Sequence, residues 1–139
     1  MQIRTYQNSD ENALVQLWED CGLVVPWNNP RTDIERKLKE NSEEIIIGEI
    51  ENKIMASAIV GYDGHRGWVY YLAVHPKYQR RGFGEQLMQF AEYHLLRLEC
   101  PKINIMVRKT NSEVIDFYKS IGYKEENITT LGKRLIPDD

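Results

Sequence analysis

Cysteine is scarce in this chain, with only Cys21 and Cys100 among 139 residues and no CxxC or paired spacing. That excludes a disulfide scaffold and a zinc finger, and leaves two reduced structural thiols as the expectation. Neither is placed for nucleophilic work. A reactive thiol needs a helix N-terminus or a cationic neighbour, whereas Cys21 falls near a helix end and Cys100 precedes Pro101. No apolar run approaches the roughly 20 residues that span a bilayer. Met1 leads straight into a polar, strand-like segment without a leader pattern, so no membrane association and a cytoplasmic location are expected. There is no basic excess: 18 basic and 21 acidic residues leave a net −3, against a nucleic-acid partner. There is no internal repeat, linker or low-complexity tract, and residues 1–139 read as a single domain, large enough for one core.

What is present is alternation of strand and helix patterns. Gln2 to Tyr6 reads as a strand. The next helix is capped by Asn8 or Ser9, carries Leu14, Leu17 and Trp18 as an apolar stripe, and stops near Gly22. Pro26 to Arg31 is a loop; Asn29 caps a helix with Pro30 in its first turn, and Thr32 with Glu35 offers an overlapping capping box. Glu44–Glu51 and Ile54–Tyr62 are strands joined at Asn52-Lys53. After a turn at residues 63–67, Trp68–Val74 is a strand rich in aromatic and β-branched residues. Gly84–Leu98 is a helix, Lys102–Val107 a strand, Ser112–Ile121 a short helix, and Tyr123–Leu135 a final hairpin.

The most informative stretch is Val74-His75-Pro76-Lys77-Tyr78-Gln79-Arg80-Arg81-Gly82-Phe83-Gly84-Glu85. A strand enters a basic, glycine-bearing turn that opens a helix. Unpaired N–H groups and partial positive charge at a helix start favour phosphate. Gly82 and Gly84 let a pyrophosphate approach the backbone, and Lys77, Arg80 and Arg81 add charge for outer phosphates. The loop is not a dinucleotide fingerprint, because the third glycine position holds Leu87, and it lacks the Gly-Lys-Ser/Thr of a P-loop.

Gln79-Arg80-Arg81-Gly82-Phe83-Gly84 after Leu72-Ala73-Val74-His75-Pro76 resembles the acetyl-CoA motif of the GNAT superfamily of N-acetyltransferases. Asn111-Ser112-Glu113-Val114-Ile115-Asp116-Phe117-Tyr118-Lys119-Ser120-Ile121-Gly122-Tyr123 resembles that family's downstream segment, with Val114 for Ala and Tyr123 for Phe. Pro26-Trp27-Asn28 and Tyr62 to Gly67 are further similar to the small bacterial YpeA-type branch, whose acceptor the resemblance does not define.

The resemblance implies an α/β GNAT fold: a mixed, mostly antiparallel sheet of six to seven strands with about four helices, splayed where acetyl-CoA sits. It implies acetyl-CoA as cosubstrate, no metal, and transfer to a primary amine by direct attack in a ternary complex. The amides of residues 79–85 (Gln79, Arg80, Arg81, Gly82, Phe83, Gly84 and Glu85) would hold the pyrophosphate. The main chain of Leu72, Ala73 and Val74 would pair with the pantetheine arm, with an N–H near Val74 polarising the thioester carbonyl. Asn111 would bond the pantetheine or serve only to cap its helix. Phe117 would pack beside the arm or simply fill the core. Tyr118 would protonate the leaving thiolate, a role worth roughly 10²–10⁴ in rate.

No carboxylate lies in Trp68–Val74, so the base stays open among Asp63, His65, His75 and a bound water. His94 has no metal-ligand partner at a suitable spacing. Trp27, Tyr62, Trp68 and Tyr70 are candidates for an acceptor groove, with Arg31 or Arg66 pairing a carboxylate; surface packing is the alternative for each. A site without a strong base favours an amino-acid or peptide α-amine over lysine. The competing reading is a non-catalytic acyl-CoA-binding or sensing module, and the chain could be a monomer or a homodimer.

Overall fold

In the computed structural model, which describes residues 1–138, the chain order is β1 (Gln2–Thr5), α1 (Glu11–Asp20), α2 (Pro30–Asn41), β2 (Ile45–Ile50), β3 (Lys53–Tyr62), β4 (Gly67–Val74), α3 (Phe83–Arg97), β5 (Ile103–Asn104) and α4 (Ser112–Ser120). The sheet runs β1-β2-β3-β4-β5. Its first three pairings are antiparallel and the last, β4 with β5, is parallel. The described residues group into two compact units, Met1–Asn104 with Asp138, and Ile105–Pro137.

The apolar stripe of α1 does what its spacing requires: Leu14, Leu17 and Trp18 are buried with Ile34 of α2 against Ile45, Ile47, Ile59 and Ala73 of the sheet. The other sheet face takes α3. There, a Cβ on Gly67 would come within 2.7 Å of the Leu95 side chain, so any larger residue would force Leu95 to shift. Asn29 caps α2 by accepting the Arg31 and Thr32 N–H groups at 3.0 and 3.3 Å. The Thr32–Glu35 box is not used, because the helix is already running at Thr32.

Four expectations need correction. Neither Asn8 nor Ser9 caps the first helix: both lie in a short 3-10 turn, and the N-cap of α1 is Asp10. The β2–β3 turn is centred on Glu51 and Asn52, with φ of 54° and 62°, and Lys53 already pairs with Ile50. A two-residue loop with positive φ at both central positions is of the I′ kind, and the left-handed tolerance of Asn52 supplies one of them. The strand expected over Lys102–Val107 shrinks to Ile103–Asn104. The final hairpin over Tyr123–Leu135 does not form, so the sheet has five strands among the described residues rather than six or seven. An isolated hairpin needs a buried apolar face, and Ile128, Leu131 and Leu135 are 71%, 90% and 84% exposed.

β4 contains a bulge. Ser57 opposes Ala73 and Ile59 opposes Tyr70, so Ala58 faces two residues, Tyr71 and Leu72. Tyr71 takes the left-handed φ of 50°, a conformation that costs a non-glycine residue about 1–2 kcal/mol. The extra residue reverses the in–out alternation. Tyr70, Tyr71 and Ala73 all lie on the α1–α2 side, while Gly67 faces α3.

At the far edge, Asp10 is buried and accepts from both terminal nitrogens of Arg4, at 2.7 and 3.0 Å, and from the Gln7 N–H at 2.8 Å. Arg4 also pairs with Glu49. The Arg4 bonds hold the Asp10 carboxyl below the usual carboxylate range. Removing one member of such a pair leaves the other under-compensated, so Asp10→Ala is expected to cost about 3 kcal/mol, measurable by urea denaturation. Asp10's contribution is full above its unfolded pKa and is lost as pH falls through the lowered folded value.

Candidate active site

Free peptide groups, rather than reactive side chains, dominate the region between β4 and α3. β5 pairs with only Gly67 and Trp68, so among the described residues the rest of β4 has no strand partner in the sheet on that side. The ladder alternation then decides which amides look outward. His75 N–H donates to Met55 O at 2.8 Å. In an antiparallel pair the residues between hydrogen-bonded positions turn their N–H and C=O to the opposite side. Val74, paired with Ala56, therefore directs its N–H to the edge that β5 leaves uncovered.

The loop beyond is built on Tyr78, which is buried and whose hydroxyl donates to Glu51 at 3.1 Å. Lys77 and Arg81 lie over its ring, at 5.5 and 5.6 Å from the centroid. Gln79 Nε2 donates to Val74 O at 3.0 Å, tying the loop to the strand end. The chain takes a left-handed φ at Arg80 (64°) and at Gly82 (83°), the kind of backbone that forms anion-binding concavities. Gly82 is the N-cap of α3 and makes no side-chain cap. The Phe83, Gly84 and Glu85 amides precede the first possible intrahelical acceptor, while Gln86 N–H already bonds Gly82 O. Apart from its chain neighbours and the helix's own backbone, no described atom lies within 4 Å of where a Gly82 Cβ would stand, so no other segment covers that side of the helix start. Together, the open amides and the uncovered β4 edge suit an anionic diphosphate joined to an extended amide-bearing arm.

The proposed acceptor residues divide. Asp63, His65, Arg66 and Trp68 form one turn, in which the Asp63 carboxylate accepts the His65 and Arg66 N–H groups and Trp68 Nε1 at 2.8, 2.7 and 3.1 Å. Those bonds, Arg66's N–H first, lower the Asp63 pKa to about 2, so it is a poor proton acceptor near neutrality. Tyr70 follows Trp68 on the same side of β4 and is 44% exposed. Arg31 is engaged elsewhere, donating to Glu11 and Asn12 at 2.9 Å each. Trp27 is exposed on the loop before α2, and its neighbour Asn28 bonds Asp33, which also accepts from Tyr71 OH at 2.6 Å.

His75 is committed through both nitrogens. Its Nδ1 accepts the Lys77 N–H at 3.1 Å and its Nε2 faces Asp20 at 3.4 Å. His94 binds Glu44 at 2.8 Å, an ion-pair site shared with Lys37, and no cluster of metal-binding side chains occurs among the described residues. Cys21 and Cys100 are both free thiols, and burial pushes Cys21 up to about 11, as befits a structural role. A cleft of about 430 Å³ beside α1 shares only His75 with this loop.

In the second unit, Asn111 Oδ1 accepts the Val114 N–H at 3.4 Å as the N-cap of α4. Phe117 and Tyr123 flank Tyr118 edge-on, with centroids at 5.1 and 5.6 Å. Tyr118 is 7% exposed, and burial pushes its phenol up to about 12.

An open helix start thus lies beside the part of β4 that β5 leaves without a partner, in a sheet that is antiparallel except at β4–β5. Residues 11–123 match the acetyltransferase (GNAT) family, and the chain belongs to it; it is an acetyltransferase that takes its acetyl group from acetyl-CoA. It is 46% identical to an acetyltransferase of Yersinia enterocolitica over 138 residues, covering 99% of this chain and 98% of the relative. It is 44% identical to one of Pectobacterium atrosepticum, with the same coverage. Among solved structures, the fold is similar to the ribosomal-protein-S18-alanine N-acetyltransferase of Escherichia coli, with a TM-score of 0.74, 23% identity, and 91% and 79% of the two chains covered. It is also similar to an aminoglycoside acetyltransferase from an uncultured soil sample, with a TM-score of 0.75, 22% identity, and 97% and 96% coverage. No described helix is long and apolar enough to cross a membrane.

Proposed function

We propose that residues 1–139 act as one N-acetyltransferase domain that acetylates the α-amine of an amino acid or peptide by direct attack in a ternary complex. Acetyl-CoA supplies the acetyl group. The amides of residues 79–85, with Arg80 and Arg81, hold the diphosphate. Leu72 to Val74 receive the pantetheine arm, aided by Asn111 and Phe117, and the Val74 N–H stabilises charge on the thioester oxygen. As the C–N bond forms and the C–S bond breaks, Tyr118 gives its phenolic proton to the departing sulfur and the amine's surplus proton leaves to solvent.

The acceptor class rests on one observation: two of the candidate bases, Asp63 and His75, are already engaged by their own neighbours. Asp63 is held near pKa 2 by its own turn, and both His75 nitrogens have partners. Deprotonating an α-amine of pKa about 7.7–8.0 at pH 7 costs roughly 1 kcal/mol, against about 4.6 for a lysine near 10.4. The two similar solved proteins act on a protein alanine and on aminoglycosides, so this fold serves unlike amines and the choice falls to local chemistry. Tyr70, Trp68 and Trp27 offer the acceptor an aromatic wall, with Arg66, His65 and Asp63 at its rim; Arg31, bound to Glu11, is a weaker candidate.

Thiol release from acetyl-CoA at pH 7 should be faster with amino acids or peptide N-termini than with N-blocked lysine peptides. Faster lysine acetylation would end the α-amine reading while leaving the acetyl-CoA site intact.

A further inference from the structure

We propose that Ser57 and Trp18, two core residues with no route to solvent, are positioning residues for the thioester: their hydrogen-bond chain pins the left-handed bulge of β4 and so aims the Val74 N–H at the acyl arm. The inference deepens the reading of the β4 edge given above and depends on it.

The chain of donors has only one possible direction. Trp18 Nε1 can only donate, and it donates to Ser57 Oγ at 2.9 Å. The serine oxygen is thereby committed as acceptor, and its single proton goes to Tyr71 O, also at 2.9 Å. Trp18 and Ser57 are each 0% exposed, so water cannot replace either bond. The same tryptophan stacks on the Tyr71 ring at 3.8 Å and 15°, and the Tyr71 hydroxyl is held by Asp33 at 2.6 Å. The one strained residue in β4 is thus gripped at its carbonyl, its ring and its hydroxyl.

The bulge matters because peptide direction alternates along a strand. Without the extra residue, the segments of β4 before and after Tyr71 could not both keep their present register with β3. A one-residue slip of the last segment would turn the Val74 N–H towards β3 and roll Ala73 out of the core. Ser57 is flanked by Ala56 and Ala58, and its partner across the other ladder is Ile47. An apolar residue would suit that neighbourhood better unless the hydroxyl has a task.

The test uses Ser57→Ala and the double variant Ser57→Ala/Trp18→Phe. Two readouts are taken: the dissociation constant of CoA by calorimetry, and the infrared carbonyl stretch of ¹³C-carbonyl-labelled acetyl-CoA on the protein. In the unaltered protein CoA binds and the bound carbonyl band lies below that of free acetyl-CoA. Ser57→Ala should keep CoA affinity within about threefold, since the α3 amides are an independent site, but return the band to its free position. Ser57→Ala also strands the Trp18 N–H and lowers the melting temperature; adding Trp18→Phe removes the stranded donor but opens a cavity beside Tyr71, so the two variants differ in melting temperature. The carbonyl band should nevertheless stay at its free position, because Tyr71 O still lacks its donor. A band that stays lowered in the variants, or that recovers in step with the melting temperature, overturns the proposal while the acetyl-CoA site stands. An unaltered protein that binds CoA without lowering the band also overturns it, and one that does not bind CoA overturns the site reading and the proposal together.

Discussion

Gly82→Asp is expected to weaken CoA binding by about a hundredfold or more while leaving the fold in place. The glycine sits at φ 83° with no other segment within 4 Å of a prospective Cβ, so a new side chain meets backbone strain but no clash. Aspartate is among the residues that tolerate the left-handed region best. At an N-cap its carboxylate can accept the first-turn N–H groups of α3, which a diphosphate would otherwise take. Each hydrogen bond to a charged group is worth about 1.5–3 kcal/mol, so displacing two removes two or more powers of ten in affinity, with charge repulsion added. The uncharged Gly82→Asn competes for the amides without the repulsion and should lose less, on the order of tenfold. Calorimetry with CoA and thermal melts of both variants make the measurement. A Gly82→Asp protein that melts normally and binds CoA with unaltered affinity would remove the diphosphate seat from this helix.

Tyr118→Phe should reduce turnover by roughly 10²–10⁴ with little change in CoA affinity, the range for a lost general acid. The Phe117 and Tyr123 ring contacts survive the change, so the loss would not reflect collapse of α4. Burial pushes the phenol up to about 12 from 10.0, so it stays protonated at neutral pH and can serve as donor; no alkaline fall in rate from this group is expected below that value. The same shift has a stability consequence. Between pH 10 and 12 the unfolded chain has lost this proton while the folded one keeps it, so stability falls as pH rises. Its contribution is full below pH 10 and gone above the folded value. Cys21, pushed from 9.0 to about 11, acts in the same direction, so the signature of Tyr118 is the difference between the alkaline melting curves of the unaltered protein and Tyr118→Phe. Equal turnover in the two proteins would take the proton-donor role from Tyr118.

Much of the architecture was legible in residue order. The apolar stripe of α1, the Asn29-Pro30 start of α2 and the glycine-bearing mouth of α3 are local signals, each settled by a few neighbouring residues. The final hairpin does not form because β propensity around residues 128–135 is only a tendency, and it yields where no apolar face is buried. The turn at Glu51-Asn52 was displaced by one residue because hairpin register depends on which pair closes the ladder, which propensity does not specify.

The candidate site shows the same division. The linear sequence alone determined the glycine loop and the basic residues around it, because these are contiguous and their chemistry follows from order and spacing; the roles of Asn111 and Tyr118 are what the family resemblance implies. Only the tertiary structure decided that Val74 turns its N–H to the free edge, that Asp63 and His75 are occupied, and that Ser57, Trp18, Tyr71 and Asp33 form one clamp. Trp18 and Ser57 lie 39 positions apart and Tyr71 a further 14 along. Their partnership arises from packing α1 across β3 and β4, and side-chain hydrogen bonds between distant segments leave no periodic trace in a sequence.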